Sequence, residues 1–382
     1  MSGLYVHIPF CVKRCIYCDF FSTTQTAYKE DYIAALIREM EIKQETWQHR
    51  TFQTVYFGGG TPSLLTPKEL NKIIEAIYHH FTISDHPEIT LEANPDDLSD
   101  SYVSSLKAFP MNRISIGVQS FDDRELRFLN RRHTAQEAVD AVIRCKNNGF
   151  DNISIDLMYG LPEQTLADWS HTIDKAIEID VSHISAYHLT CEEGTPVEQM
   201  IKNNEIKPVD EKKSAALFHL SVKKLKQAGY IHYEISNFAR YTSGYLSGRI
   251  SLHNASYWNG TYYLGLGASA HSYNGVSRSW NVSSVSGYIN AVNEKSESLF
   301  ETEWLDDRTR YNDYIITRLR TIWGVSINEL RQMFGKDREQ HFLEKSADLI
   351  CRKKLIMKGD NVKVSLNGIF ISDAIMRELI VL

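Results

Sequence analysis

From Leu4 to about Leu189, short apolar runs alternate with longer amphipathic stretches, and this alternation narrows the possible folds more than any other property of the chain. The predicted strands are Leu4–Ile8, Thr54–Phe57, Glu88–Ala93, Arg113–Val118, Asn152–Leu157 and His183–Tyr187. Helical periodicity fills the intervals. Tyr28–Glu45 places Ile33, Leu36, Ile37 and Met40 at helix spacing, and Thr66 or Pro67 opens a helix toward Phe81. Thr134 begins another that ends before Gly149, and Glu163–Ile179 holds a further one. Strand-helix units in series imply a parallel sheet joined by right-handed crossovers, and six of them suggest an α/β partial barrel.

In such barrels chemistry sits at the carboxyl ends of the strands, so each strand end can be read for function. The first predicted strand runs into Cys11-Val12-Lys13-Arg14-Cys15-Ile16-Tyr17-Cys18, three thiols with no fourth nearby. Structural zinc sites want four ligands, and thiolates also select Cu(I) and iron-sulfur clusters. In a 4Fe-4S cubane each Cys holds one iron, so three Cys leave one iron open to an external ligand. The alternatives are a zinc site completed by His7 and a set of metal-free buried thiols. The second strand ends in Gly58-Gly59-Gly60-Thr61-Pro62, where glycines permit close approach of the backbone to a ligand. Later strands end in Glu92-Ala93-Asn94-Pro95, Gly117-Val118-Gln119-Ser120 and Asp156-Leu157-Met158-Tyr159-Gly160-Leu161-Pro162, so an acidic or amide side chain recurs at the expected mouth.

The 382-residue chain has room for a large core and a smaller domain, and its net charge of -6 argues against a general nucleic-acid binder. It contains no run of eighteen apolar residues and starts without the basic and apolar regions of a signal peptide, so cytoplasmic residence is expected. Contact with a membrane surface through a small patch stays open. Cys145, Cys191 and Cys351 make no paired framework and are expected to be buried thiols.

The Cys-x3-Cys-x2-Cys spacing resembles the signature of the radical S-adenosylmethionine (SAM) enzymes, and Tyr17 before the third Cys fits that pattern. The resemblance implies a (β/α)6 barrel, a 4Fe-4S cluster on Cys11, Cys15 and Cys18, SAM on the open iron, and an electron donor for the cluster. It narrows, through Tyr5–Cys11, Gly58–Pro62, Gly117–Phe121 and Asp156–Pro162, to the group that holds oxygen-independent coproporphyrinogen III dehydrogenases and haem chaperones. Matching those motifs implies SAM contacts from Tyr5, Gly59, Gly60, Thr61, Glu92, Gln119, Arg131 and Asp156. Read from its own surroundings, Arg131 is equally an exposed helix-end cation.

Within that group the dehydrogenases carry a further Cys two residues beyond the triad, where this chain has Phe20. The chaperones carry His-Asn-x-x-Tyr-Trp, and here the sequence is His253-Asn254-Ala255-Ser256-Tyr257-Trp258. The resemblance therefore implies a carrier of haem to acceptor haemoproteins. His253 is the candidate axial ligand, with Asn254, Tyr257 and Trp258 beside the macrocycle and His7, His188 and His271 as rivals. Without the resemblance, loop hydrogen bonds and packing against the barrel would be the better reading of the His253 segment. The Ser- and Gly-rich stretch from Tyr241 to Leu252 is longer than the family pattern leads one to expect.

The expected organisation is a barrel over residues 1–230, an extension over 231–300 that carries the His253 segment, and a small C-terminal winged-helix-like domain over 301–382. In the last, Tyr311–Thr321, Ile327–Phe334 and Gln340–Arg352 are expected as helices and Leu355–Val364 as a hairpin turning at Gly359-Asp360.

Overall fold

The computed structural model describes residues 2–241, 249–296 and 299–381, so residues 242–248 of the long Ser- and Gly-rich stretch lie outside it. Six parallel strands form the centre: β1 (Ser2–Ile8), β2 (Thr51–Gly59), β3 (Thr82–Ala93), β4 (Arg113–Gln119), β5 (Ile153–Tyr159) and β6 (His183–His188). The helices between them are α1 (Lys29–Trp47), α2 (Pro67–His80), α3 (Asp100–Leu106), α4 (Asp123–Phe128), α5 (Ala135–Asn147) and α6 (Leu166–Glu178), and α7 (Pro196–Lys202) and α8 (Glu211–Gln227) follow β6. Their starts are set by local chemistry. Thr66, Thr134 and Thr165 each accept from the backbone three residues on, and Glu69, Glu137 and Asp168 reach back to close capping boxes.

Strand alternation sorts the barrel into two faces. Leu4, Val6 and Ile8 of β1, Val55 and Phe57 of β2, and Ile114, Ile116 and Val118 of β4 are buried in the main hydrophobic core against the helices. Tyr5, His7, Tyr56, Glu92 and Asp156 occupy the opposite positions, so the lumen is polar.

Further strands, paired antiparallel except where β9 joins β1, lengthen the sheet at both edges, which the sequence pattern did not reveal. Beyond β6 lie β8 (Asn237–Arg240) and then β7 (Tyr230–His232). After α9 (Leu252–Trp258), β9 (Tyr262–Leu266) pairs parallel with β1, and β10 (His271–Tyr273), β11 (Ser277–Asn281) and β12 (Phe300–Trp304) continue outward, giving 12 strands in this sheet among the described residues. Between β11 and β12, α10 (Val285–Asn293) packs on α1.

The rest of the chain builds a second core around Tyr311, Ile315, Leu330, Phe342, Val362 and Leu379. It comprises α11 (Asp307–Leu319), β13 (Val325–Ser326), α12 (Ile327–Cys351), the hairpin β14 (Leu355–Lys358) and β15 (Asn361–Val364), and α13 (Ser372–Leu379). Gly335, with φ 81°, breaks α12 near the point where separate helices were expected.

Two further expectations need correction. Cys145 is buried, but Cys191 and Cys351 are exposed. Cys191 lies in the turn region after β6 and Cys351 at the solvent-facing end of α12, where apolar neighbours in sequence do not imply burial. The helix expected from Glu163 starts at Leu166, because Glu163 sits in a turn with φ 63°. No helix among the described residues is long and apolar enough to cross a membrane.

Candidate cofactor site at the barrel mouth

The cysteine loop leaves β1 at the carboxyl end of the sheet and is pinned there by backbone bonds from Cys11 N–H to Thr23 O (2.9 Å) and from Thr23 N–H to Pro9 O (2.7 Å). Cys11 is buried, and Cys15 and Cys18 are half-buried. Thr61 donates to Cys11 Sγ at 3.4 Å, and Arg131 Nη1 donates to Cys15 Sγ at 3.2 Å. Both contacts favour the thiolate form that a soft metal requires. Burial pushes the Cys11 and Cys18 thiols up, so loading the site releases protons.

Arg131 is not the exposed cation its sequence position suggested. Its Nη2 donates to Asn94 Oδ1 (2.5 Å) and Gly117 O (2.6 Å), which ties the cysteine loop to the ends of β3 and β4. Its Nε is buried without a hydrogen-bond partner among the described residues. Asn94 in turn donates to Thr61 at 3.3 Å. Gln119 lies in the same knot. It has φ 68°, and a Cβ placed on Gly117 would stand 3.1 Å from Gln119 Nε2 and 3.2 Å from Arg131 Nη2.

Glu92 and Asp156 face the lumen just below. Glu92 accepts from Tyr56 Oη at 2.7 Å and from Gly59 N–H at 3.1 Å. Burial raises its pKa to about 7, the Tyr56 bond opposes that rise, and Asp156 adds to it. Asp156 is also raised by burial, against a hydrogen bond from Ser185 and the charges of Arg113 and Arg131. Gly59 has φ 111°, and a Cβ there would meet the His7 ring at 2.6 Å, so only glycine fits this turn. Gly60 lies against the Pro9 backbone. Tyr17 is half-buried and packs against the small core that contains Leu129, Met158 and Leu161.

The donor set fits a cluster better than a single zinc ion. His7 Nε2 donates to Phe21 O at 2.9 Å, so its Nδ1 accepts from Tyr5 Oη at 3.0 Å and no ring nitrogen is left to complete a zinc site. Among the described residues no three His, Cys, Asp or Glu side chains converge on one ion.

The His253 segment lies at the other end of the barrel. Helix α9 inserts beneath the lumen, and Glu88 of β3 accepts from the Leu252 and His253 N–H groups at 3.0 and 2.9 Å. His253 is 1% exposed, stacks on Tyr56 at 4.8 Å, and bonds Thr54 Oγ1 (2.7 Å) and Tyr257 Oη (2.8 Å) through its two ring nitrogens. Neither nitrogen is open to iron, so its geometry is that of a structural histidine. Tyr257 is half-buried with its edge on Tyr263, Asn254 is half-buried, and Trp258 carries the Arg320 guanidinium 5.3 Å from its ring.

Sequence reasoning passed over Tyr56 and Arg113. Arg113 opens β4 from an inward position and is 1% exposed, and it acts electrostatically on Glu92, Asp156 and His253. The available signal was a charged residue in phase with Ser115 and Gly117 at period two.

Comparisons with known proteins agree with this architecture. Residues 5–176 match the model of the Radical SAM superfamily. The chain is 34% identical over 363 residues to "Heme chaperone HemW" of Bacillus subtilis (strain 168), covering 94% of each chain. It is 33% identical over 368 residues to the protein of the same name from Lactococcus lactis subsp. lactis (strain IL1403), covering 96% of this chain and 94% of that one. The solved coproporphyrinogen III oxidase HemN from Escherichia coli matches with a TM-score of 0.85 at 23% identity, over 99% of this chain and 89% of that one. At that identity the likeness speaks for the fold.

Proposed function

The chain belongs to the HemW family of radical SAM proteins, and from that membership we propose that it is a haem chaperone, which holds a 4Fe-4S cluster and SAM at the barrel mouth and delivers haem to acceptor haemoproteins. Cys11, Cys15 and Cys18 hold the cluster, whose chemistry when loaded is one-electron reduction of bound SAM by an external donor. Arg131 and Thr61 fix two of the three sulfurs by hydrogen bonds. Gly59 and Gly60 leave room for backbone contact with SAM, and Glu92 and Asp156 present carboxylates to its hydroxyl and ammonium groups.

The choice of chaperone over dehydrogenase rests on Phe20. An apolar ring that is 67% exposed stands where the dehydrogenases carry a further Cys, and it supplies no ligand or acid-base group. The test is an anaerobic titration of cluster-reconstituted protein with ferric haem, followed by gel filtration. Retained haem with a ligand-shifted Soret band is the expected result. Failure to retain haem would overturn the reading.

A further inference from the structure

The lumen face of the sheet does not stop at β1. Residues directly opposite one another across a sheet point to the same face, so the inward row can be followed outward by register. Tyr5 faces the lumen and pairs with Gly265 of β9, and Tyr263, two residues earlier, pairs with Tyr273 of β10. Tyr273 pairs with Arg278 of β11, and His271 pairs with Trp280. His271, Tyr273, Arg278 and Trp280 therefore stand on the inner wall of the curled sheet. Because β9 runs parallel to β1 and β10 runs back against β9, His271 sits at the mouth end of its strand, on the same rim as the cysteine loop.

His271 differs from the other imidazoles considered as haem ligands. His253 and His7 have both nitrogens engaged, and His188 bonds Ser214 at 2.9 Å through Nε2. His271 is exposed, and its ring makes no hydrogen bond among the described residues. It lies beside the Trp280 indole, with ring centroids 5.8 Å apart and an interplanar angle of 29°. Arg278 stands on the same face and is shared between Glu303 and Asp313. Partial desolvation on the Trp280 side and the Arg278 charge lower the imidazole pKa from its usual value, which favours the neutral form that binds metal.

We propose that haem docks on this inner wall, with His271 as an axial ligand to its iron, the Trp280 indole against the porphyrin, and Arg278 toward a propionate. The assignment rests on the haem-chaperone reading and adds the place where the haem is held. An exposed imidazole with free nitrogens can reach iron without unfolding anything, whereas His253 could do so only by losing its contacts with Thr54, Tyr56 and Tyr257. The site also sets haem at the rim that carries the cluster and SAM, and not at the floor closed by α9.

The experiment is an anaerobic ferric-haem titration of cluster-loaded parent, His271→Ala, His271→Gly and His253→Gln proteins, read by Soret position and electron paramagnetic resonance. Cluster absorbance measures the folded fraction of each. The parent is expected to show a histidine-ligated spectrum, which His253→Gln keeps. His271→Ala is expected to lose that spectrum and to bind haem at least about tenfold more weakly, since even outer partners of metal ligands cost 10- to 100-fold. Free imidazole added to His271→Gly should restore the histidine-type spectrum, which a purely structural role would not allow. If the parent binds haem and His271→Ala binds it equally well with the same spectrum, the assignment is wrong while the chaperone reading stands. A parent that binds no haem would overturn both.

Discussion

Replacing His253 by Gln tests whether the most family-specific histidine is a plug or a ligand. The imidazole is bonded through both nitrogens to Thr54 and Tyr257, and burial, followed by the charge of Arg113, lowers its pKa to about 3. In the unfolded chain the ring titrates near its ordinary value of 6.5. Between those values the unfolded state binds the extra proton, so the stability owed to the neutral ring is present above about 6.5 and is lost as the pH falls toward 3. Integrating the linkage from about pH 8 to about pH 5 gives a loss of about 2 kcal/mol for this one ring. Glutamine keeps at most one of the two bonds and does not titrate, so it should cost about 1–3 kcal/mol at high pH. Urea unfolding of both proteins should then show the gap between parent and variant narrowing by about 2 kcal/mol from about pH 8 to about pH 5. A gap that stays constant with pH, or a variant as stable as the parent, would refute the plug. Loss of haem binding with no loss of stability would make His253 a ligand after all.

The mouth gives three further expectations. Cys15→Ala should abolish the brown cluster chromophore of reconstituted protein while circular dichroism stays unchanged, because the half-buried sulfur gives up only side-chain hydrogen bonds, from Arg131 and Tyr17. SAM affinity in the parent, followed by calorimetry, should rise as the pH passes through about 7, where Glu92 ionises, and Glu92→Gln should bind more weakly and lose the step near 7. Gly59→Ala forces a Cβ to 2.6 Å from a His7 ring that is held at both nitrogens. It should cost about 1–3 kcal/mol in denaturant unfolding, and it should lose SAM binding.

The parts of the molecule legible in the sequence are those where one local rule decides the outcome. The six central strands follow from apolar runs between amphipathic helices, and threonine capping boxes such as Thr66 with Glu69 mark the helix starts. The added strands at the edges were missed because β10 and β7 have only three residues each, too short for a period-two pattern, and β9 mixes tyrosine with glycine. At the mouth, the cysteine loop and glycine turn are contiguous in sequence and could be read directly. The contact of Arg131 with Cys15 joins residues 116 apart, and no local pattern announces it. His253 was read as a ligand because its motif is distinctive, yet distinctiveness does not separate a ligand from a plug. What separates them is the occupancy of the ring nitrogens, and that depends on Thr54, some 199 residues away.

The floor and the mouth are coupled through the lumen between them. Helix α9 closes the lower end with His253 stacked on Tyr56, and Tyr56 is the residue that donates to Glu92. Burial is the largest cause of the rise of Glu92 to about 7, so a plug that excludes water from below helps to set the carboxylate at the mouth. Loosening the plug should therefore act at a distance. In His253→Gln, water entering at the floor should draw Glu92 back toward its ordinary value of 4.5, and the pH at which SAM affinity rises should move down with it. Arg113 works in the opposite sense, since its charge favours the ionised acid, and Arg113→Met should move the same midpoint up. Opposite shifts from two buried residues that do not touch SAM would establish the lumen as one electrostatic unit. If neither substitution moves the midpoint, Glu92 is set by the mouth alone and the coupling is refuted.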